Sequence, residues 1–408
     1  MASASSVTNK KFVGYIYEQQ NNLYVVCVDS VAQRFVCKTP VEKNDLKGYI
    51  VNDMQLFQQR FKALFLDVSE FHAEAYSSNY QMRKEVKELL EAKNIPNHFF
   101  TKSQWLFSAT LISSGFIPKG GQFVLFITQS CDSVNVICYK YTKNGFAYVS
   151  SKDVDIGETK SDDSIRDEIF QLCKSPNAIF IKNAAISVEK RLKALFKKRK
   201  IYSFDNDFAT KSSTNYILQQ SKWFFDRSYA NFHILPTASA DIKLCIKNGF
   251  GEVIDSVVSI NEAIPVREAG TATKLVNFNA VLKYNDTIIN EFRLSDQMAH
   301  QHQITFAVDE EGFVDFQIKA VLWPNVDILP GLLTKNFKSD IPVIAVTENL
   351  SFICIQKSDK SGYEYLDSWN GERGMDLFIS FDEEKPKFFQ DALEAALTKP
   401  TFSVYDLW

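Results

Sequence analysis

The run Gln122-Phe-Val-Leu-Phe-Ile127 is a block of β-prone apolar residues, preceded by Gly120-Gly121 and followed by the polar Thr128-Gln-Ser130. An apolar run of that length between turn signals predicts a buried strand. Working outward, Val134 to Tyr141 and Phe146 to Ser150 predict two more strands. A helix near 163–173, the strand Ala178-Ile-Phe-Ile181 and a helix over 186–199 follow. The residues before this block repeat the order. Val13 to Tyr17, Leu23 to Val28 and Arg34 to Lys38 are short β-rich runs parted by Gln-Asn-Asn and Asp-Ser turns. Then come a helical pattern over 53–62 (Met54, Leu56, Phe57, Phe61) and the strand Ala63-Leu-Phe-Leu-Asp-Val68. A helix over 78–93 shows Met82, Val86, Leu89 and Leu90 on one face, and a helix-like segment spans 102–113.

Two successive β-β-β-α-β-α units are the order of an actin-like, two-lobed α/β domain. From 237 to about 322 helical periodicity gives way to alternation, as in Ile242, Leu244, Ile246 and in Ile304, Phe306, Val308. Turn residues at Asn248-Gly249, Asn285-Asp286 and Asp309-Glu-Glu-Gly312 separate the runs, predicting an antiparallel β-sandwich. The tail returns to the opening pattern: Val343-Ile-Ala-Val-Thr-Glu348 echoes Val13-Gly-Tyr-Ile-Tyr-Glu18, and a helix is expected at about 385–397. The expected fold class is therefore multidomain α/β plus all-β. It comprises a shortened actin-like region (1–230), an apolar linker (231–236), a β-sandwich (237–324) and a small α+β C-terminal unit. That unit (340–408) reads as β-β-β-α-β and as a repeat of 13–68.

Composition narrows the function classes. A chain of 408 residues accommodates two to three domains with their own cores. Lys plus Arg (46) against Asp plus Glu (49) leaves a charge of −3, which argues against a nucleic-acid partner. No apolar run approaches the roughly 18 residues of a membrane span, and Met1–Lys10 has no apolar signal-peptide core. A cytoplasmic protein is expected, with the basic run Lys190–Lys200 leaving the nucleus open. The seven cysteines sit mostly in strand-like runs and read as buried thiols of a reducing compartment. Fifteen glycines are about half the usual share of roughly 7%, and phosphate-cradling loops need glycine where the backbone approaches the anion. The one G-x-x-x-x-G near a strand, Gly115 to Gly120, continues Gly121-Gln122 where a P-loop needs Lys and Ser or Thr. His300-Gln-His302 lacks the Cys, Asp or Glu that would complete a metal set and reads as a solvated loop, so no metal is expected.

The order α/β region, apolar linker, sandwich resembles the seventy-kilodalton heat-shock protein (chaperone) family. Asn261-Glu-Ala-Ile-Pro265 is similar to that family's Asn-Thr-Thr-Ile-Pro, and Ile304 to Phe316 to its sandwich hairpin, with Gly312 at the turn. Ala63 to Phe71 is similar to the family's A-V-V-T-V-P-A-Y-F. The resemblance covers about three-quarters of the chain at low identity, and the departures fall on the nucleotide motifs. The first phosphate loop corresponds to Ile16-Tyr-Glu-Gln-Gln20, with Glu18 where phosphate would approach. The second corresponds to Phe126-Ile-Thr-Gln-Ser-Cys131, whose Phe126 and Gln129 replace aspartate and glycine, with Asp132 nearby as a displaced carboxylate. The adenosine loop falls at Lys182-Asn183.

The resemblance implies a degenerate nucleotide site with no cofactor, and a sandwich that holds extended apolar segments of unfolded polypeptides. Its arch falls at Phe250 and Leu275, and its pocket at Ile246, Phe278 and Leu282. The function so implied is a non-catalytic chaperone-like or adaptor protein, a pseudo-ATPase, with co-chaperones as further partners. The alternative is a weak ATP- and magnesium-dependent folding chaperone with rebuilt phosphate loops. A tail rich in Phe378, Ile379, Phe381, Phe388 and Phe389 is expected to dock on the α/β domain and not to trail.

Overall fold

The computed structural model describes residues 10–42, 45–72, 75–157, 159–205, 208–248, 251–273, 279–294, 301–321, 326, 328–337, 341–347, 350–356, 362–366, 375–376 and 378–404. These residues divide into two compact units. The first holds the chain up to Asp241 together with Val258–Val266 and Val308–Phe313; the second holds Ile242–Val257, Arg267–Ala307 and Val314–Trp408.

The first unit opens with β1 (Phe12–Gln19), β2 (Asn22–Asp29) and β3 (Arg34–Pro40), an antiparallel meander. Helices α1 (Leu46–Asn52) and α2 (Met54–Arg60) lead into β4 (Phe61–Asp67), which lies parallel to β1. Helix α3 (Asn79–Ala92), capped by Ser78, returns to β5 (Asn97–Phe99), parallel to β4. The sheet order is thus β3-β2-β1-β4-β5. Helix α4 (Lys102–Ser114) then carries the chain into β6 (Phe123–Ser130), β7 (Ser133–Thr142) and β8 (Gly145–Asp155), a second meander. Helix α5 (Asp162–Leu172), β9 (Ala178–Lys182), α6 (Ile186–Leu195), β10 (Lys200–Phe204) and α7 (Phe208–Phe225) complete it. The order β8-β7-β6-β9-β10 repeats that of the first sheet. This duplicated architecture is the actin-like fold expected from the order of elements.

Helix α4 shows why the two halves cohere. Its first turn is fixed by a reciprocal pair of bonds, Gln104 N–H to Thr101 Oγ1 and Thr101 N–H to Gln104 Oε1, and Gly115 ends it at φ 62°. Ala109 and Ile112 pack into the core beneath the first sheet with Tyr216 and Ile217 of α7. Phe107 and Leu111 pack into the core beneath the second sheet with Phe126 and Phe180. A helix apolar on two sides is a helix between two layers.

The segment 231–236, expected to be a linker, is stitched into the first unit instead. Phe146 N–H donates to His233 O and Leu235 N–H to Phe146 O, so the segment runs beside β8, and Ile234 is buried. Its free carbonyls and amides met an open strand edge, which is how a sheet gains a strand.

In the second unit, β11 (Ile242–Asn248), β12 (Gly251–Val258), β14 (Asn279–Tyr284) and β15 (Thr287–Arg293) form a sheet of order β12-β11-β14-β15, and β13 (Val266–Thr273), β16 (Gln301–Val308) and β17 (Val314–Val321) form a second. Phe292 and Phe316 touch across the two sheets with centroids 4.8 Å apart. His302 is buried within β16 and does not lie in a solvated loop; His300 lies outside the described residues. Helix α8 (Leu329–Asn336) packs Leu333 against Cys354 and Tyr363 of the sheet β18 (Val343–Thr347), β19 (Leu350–Gln356), β20 (Tyr363–Tyr365), with β21 (Met375–Asp376) on β19. β22 (Ile379–Ser380), β23 (Lys387–Phe388) and β24 (Ser403–Val404) form a last small sheet under α9 (Phe389–Thr398). The tail helix is present as expected, but β24 pairs antiparallel with β22, whereas β4 runs parallel to β1. The tail therefore differs in topology from 13–68, and it groups with the second unit.

Candidate functional site

A cleft of about 570 Å³ opens where β1, β2, β3, β4, α4, β9 and α7 converge in the first unit. Tyr15 and Tyr17, on one face of β1, stack at 5.6 Å and form one wall. Trp105 of α4 and Phe35 of β3 add aromatic surface. Three cations line it, from three different elements. Lys38 of β3 sits 5.1 Å over the Tyr17 ring and 4.2 Å over Tyr24, and donates to Gln19 Oε1 at 3.1 Å. Lys102 pairs with Glu70 at 2.5 Å. Lys182, at the end of β9, has no ion-pair partner among the described residues and lies 5.4 Å from the Phe208 ring centre.

Asp67 closes the floor. The Tyr15 hydroxyl donates to its Oδ2 at 3.1 Å, and burial pushes its carboxyl up from 3.8 to about 7. Burial, with Lys102 nearby, pulls Lys182 down from 10.5 to about 8. Both groups hold their charge reluctantly. The Tyr216 hydroxyl and Trp105 Nε1 are buried with no hydrogen-bond partner among the described residues. The cleft therefore offers aromatic faces, cations and, in the lining residue Trp105, one unsatisfied donor.

The turns expected to be degenerate phosphate loops are tight hairpins. Gln20 and Asn21 both take left-handed backbone (φ 53° and 60°), joining β1 to β2 in two residues, the geometry of a type I′ turn. Glu18 Oε1 accepts the Asn21 N–H at 2.7 Å. Between β6 and β7, Cys131 and Asp132 make the matching two-residue connection, Cys131 at φ 47°. Gln129 donates to Cys131 O at 3.1 Å and its Oε1 accepts the Ala185 N–H, at the start of α6, at 2.6 Å. One amide of the first turn, Asn21 N–H, and the Ala185 amide beside the second already have side-chain partners. Glu18 and Lys182 line the cleft; Gln129 and Asp132 do not, and Asp132 is exposed. Phe126 belongs to no loop. It is buried in β6, stacked 4.9 Å from Phe180, because its position points into the core below the sheet.

ATP with magnesium does not fit these residues. Magnesium favours ionised carboxylates in octahedral array, and the cleft carries only Glu18, engaged in its turn, and Asp67, bonded to Tyr15. Among the described residues there is no cluster of three His, Cys, Asp or Glu side chains able to hold a metal.

In the sandwich, Ile246 of β11 is half-buried and Leu282 of β14 is buried, adjacent in register through the pairs Ile246–Ala280 and Leu244–Leu282. Phe250, Leu275 and Phe278 lie outside the described residues. Tyr15, Tyr17, Lys38, Asp67, Lys102 and Trp105 were not anticipated as site residues. One signal was present for Asp67, a lone acid ending the apolar strand Ala63 to Val68. Of the cysteines, five are buried as expected, while Cys37 and Cys131 are exposed.

No protein-family model and no curated protein matches the chain in sequence. Solved structures do match. A Bacteroides thetaiotaomicron protein described as having an actin-like ATPase fold and unknown function is 9% identical, over 52% of this chain and 99% of that one, with a TM-score of 0.27. YeaZ from Pseudomonas aeruginosa is 10% identical over 53% of this chain and 95% of that one, TM-score 0.27. A Ppx/GppA family member from Aquifex aeolicus is 11% identical over 45% of this chain and 69% of that one, TM-score 0.22. Likenesses this slight establish no activity; the actin-like architecture is read from the two sheets of order 3-2-1-4-5. Among the described residues no helix is long and apolar enough to cross a membrane.

Proposed function

We propose that the chain is a non-catalytic actin-like protein, a pseudo-ATPase that works by binding, as a chaperone-like or adaptor module. One observation carries the reading: where phosphate would approach, Glu18 places a carboxylate that takes the Asn21 amide of its turn, and Gln129 takes the Ala185 amide at the start of α6. Phosphoryl transfer depends on oriented donors and a metal-holding carboxylate; the two carboxylates lining the cleft, Glu18 and Asp67, are both engaged, and Asp132 lies outside it. The test is phosphate release from ATP with magnesium, together with a melting curve. No release above the protein-free blank is expected and no shift in melting temperature; a ligand at 100 times its Kd would add about 2.7 kcal/mol. Turnover abolished by Asp67→Asn or Asp132→Asn would replace this reading with the weak ATP-dependent chaperone. Lys38, Lys102 and Lys182 in the cleft are what favour that alternative.

The binding partner in this reading is an extended apolar polypeptide held by the sandwich. Support comes from β12, an outermost strand of its sheet that carries exposed Val253, Ile254 and Val257. An open apolar strand edge can accept an added strand through main-chain bonds. Fluorescence anisotropy with a Leu- and Phe-rich peptide is expected to give a micromolar Kd, roughly −8 kcal/mol, unchanged by ATP. Absence of any peptide binding would move the adaptor role to another surface.

A further inference from the structure

Cys27 of β2 and Cys37 of β3 stand directly opposite each other in the antiparallel ladder. Opposed residues in such a ladder have Cα atoms about 4.5–5.5 Å apart, inside the roughly 4.4–6.8 Å that a disulfide spans. Burial, with the Cys37 thiol beside it, pushes Cys27 up to about 12. Their exposures differ. Cys27 is buried, while Cys37 lies exposed on β3, an outermost strand of its sheet. One partner can meet an oxidant and the other can resolve it.

We propose that Cys27 and Cys37 form an oxidisable pair that a peroxide converts into a cross-strand disulfide. The Cys37 sulfur attacks the peroxide oxygen, the O–O bond breaks, and a sulfenic acid and one water result. The Cys27 sulfur then attacks the Cys37 sulfur; the S–S bond forms, the S–O bond breaks, and the departing hydroxyl takes the Cys27 proton as a second water. Two thiols lose two electrons and one peroxide gains them. The bond pins β3 to β2 one residue away from the Val26–Lys38 pair, both of which line the cleft on the opposite face. Oxidation therefore fixes the strand that carries Lys38 over Tyr17.

The chain contains its own controls. Cys138 and Cys173 are also neighbouring thiols, but both are buried, so peroxide has no first target. Cys131 is exposed but sits alone in the β6–β7 turn. The experiment treats the native full-length protein with stoichiometric hydrogen peroxide, blocks residual thiols, and maps peptides by mass spectrometry. The expected product is a peptide linked through Cys27 and Cys37, two hydrogens lighter than the sum of its parts and released by a thiol reductant. It should vanish in Cys37→Ser and persist in Cys131→Ser. Both substitutions are at exposed positions, so the fold survives them. Recovery of Cys37 as sulfinic acid with Cys27 still blocked as a free thiol would overturn the proposal. So would a link from Cys37 to any other cysteine.

Discussion

The ends of β4 and β9 hold the same place in the two halves of the first unit, and opposite charges stand there. In register, Tyr17 faces Asp67 in the first sheet and Thr128 faces Lys182 in the second. The equivalence extends along the strands: Tyr15 corresponds to Phe126, and Glu18 to Gln129. The ladder sets where a side chain goes, and its neighbours decide what it does there. Tyr15 keeps a hydroxyl and gives it to Asp67, whereas Phe126, without one, fills the core. A duplicated frame has thus diverged at the few positions that face the cleft.

The largest expected effect tests how each half is braced. In the first half, Glu311 accepts from Phe99 N–H at 3.0 Å, lies 2.8 Å from His98 Nδ1 and pairs with Lys87, all of it buried or half-buried. Its carboxyl is drawn down to about 2 by His98 and Lys87, which outweigh the opposing effect of burial. The second half is braced by Arg191, which donates to Ile156 O and Lys160 O at 2.6 Å each and pairs with Asp162. Glu311→Gln removes the buried charge that meets both His98 and Lys87 and leaves Lys87 only Asp309, at 3.1 Å, so it should cost about 3 kcal/mol. Arg191→Met leaves carbonyls that water can reach and should cost about 1–3 kcal/mol. Urea unfolding measures both; equal losses would mean that the halves are braced alike. A depressed carboxyl stabilises above its ordinary value, so wild-type stability should fall as pH drops from about 4.5 towards 2, and Glu311→Gln should lose that slope.

A second pair of variants sharpens the contrast between Asp67 and Lys182. Asp67 is raised from 3.8 to about 7, so between those values the folded state holds a proton that the unfolded state has released. Stability should therefore fall as pH rises from about 4 to about 7, and Asp67→Asn should flatten that window. Lys182 is lowered from 10.5 to about 8, so between those values the unfolded state holds the extra proton. Stability should rise across that range, and Lys182→Met should abolish the rise. Melting temperatures across both windows would show slopes of opposite sign. Slopes of one sign would end the comparison.

These features differ in how far the sequence reveals them. Strands β1, β4, β6 and β9 are near-continuous apolar runs, so their identity and order are legible. β5 has three residues and is held by β4, a contact no local pattern announces. The basic run Lys190–Lys200 reads as one helix, yet α6 ends at Leu195 and Lys200 begins β10, because Ile201 and Tyr202 pair with Ile179 and Phe180. The cleft was hardest to read. Its residues come from seven elements, and Lys38, Asp67 and Lys182 sit next to one another in no sequence window.

The smallest effect concerns the turns themselves. Glu18 and Gln129 occupy equivalent positions, but their bonds differ in reach. Glu18 holds only the Asn21 amide of its own exposed turn, three residues on. Gln129 ties its turn to the start of α6, 56 residues away, through Ala185. A bond within a turn that is already closed by the strand ladder adds little, and water replaces it readily. A bond between elements lost from Gln129 leaves both the Cys131 carbonyl and the first amide of α6 without their side-chain partner, at about 0.5–1.5 kcal/mol each. Gln129→Ala should therefore cost about 1–2 kcal/mol and Glu18→Ala less than about 1 kcal/mol, read as urea midpoints at unchanged slope. If Glu18→Ala costs as much as Gln129→Ala, the two turns are equivalent in energy as well as in register, and their divergence stops at sequence.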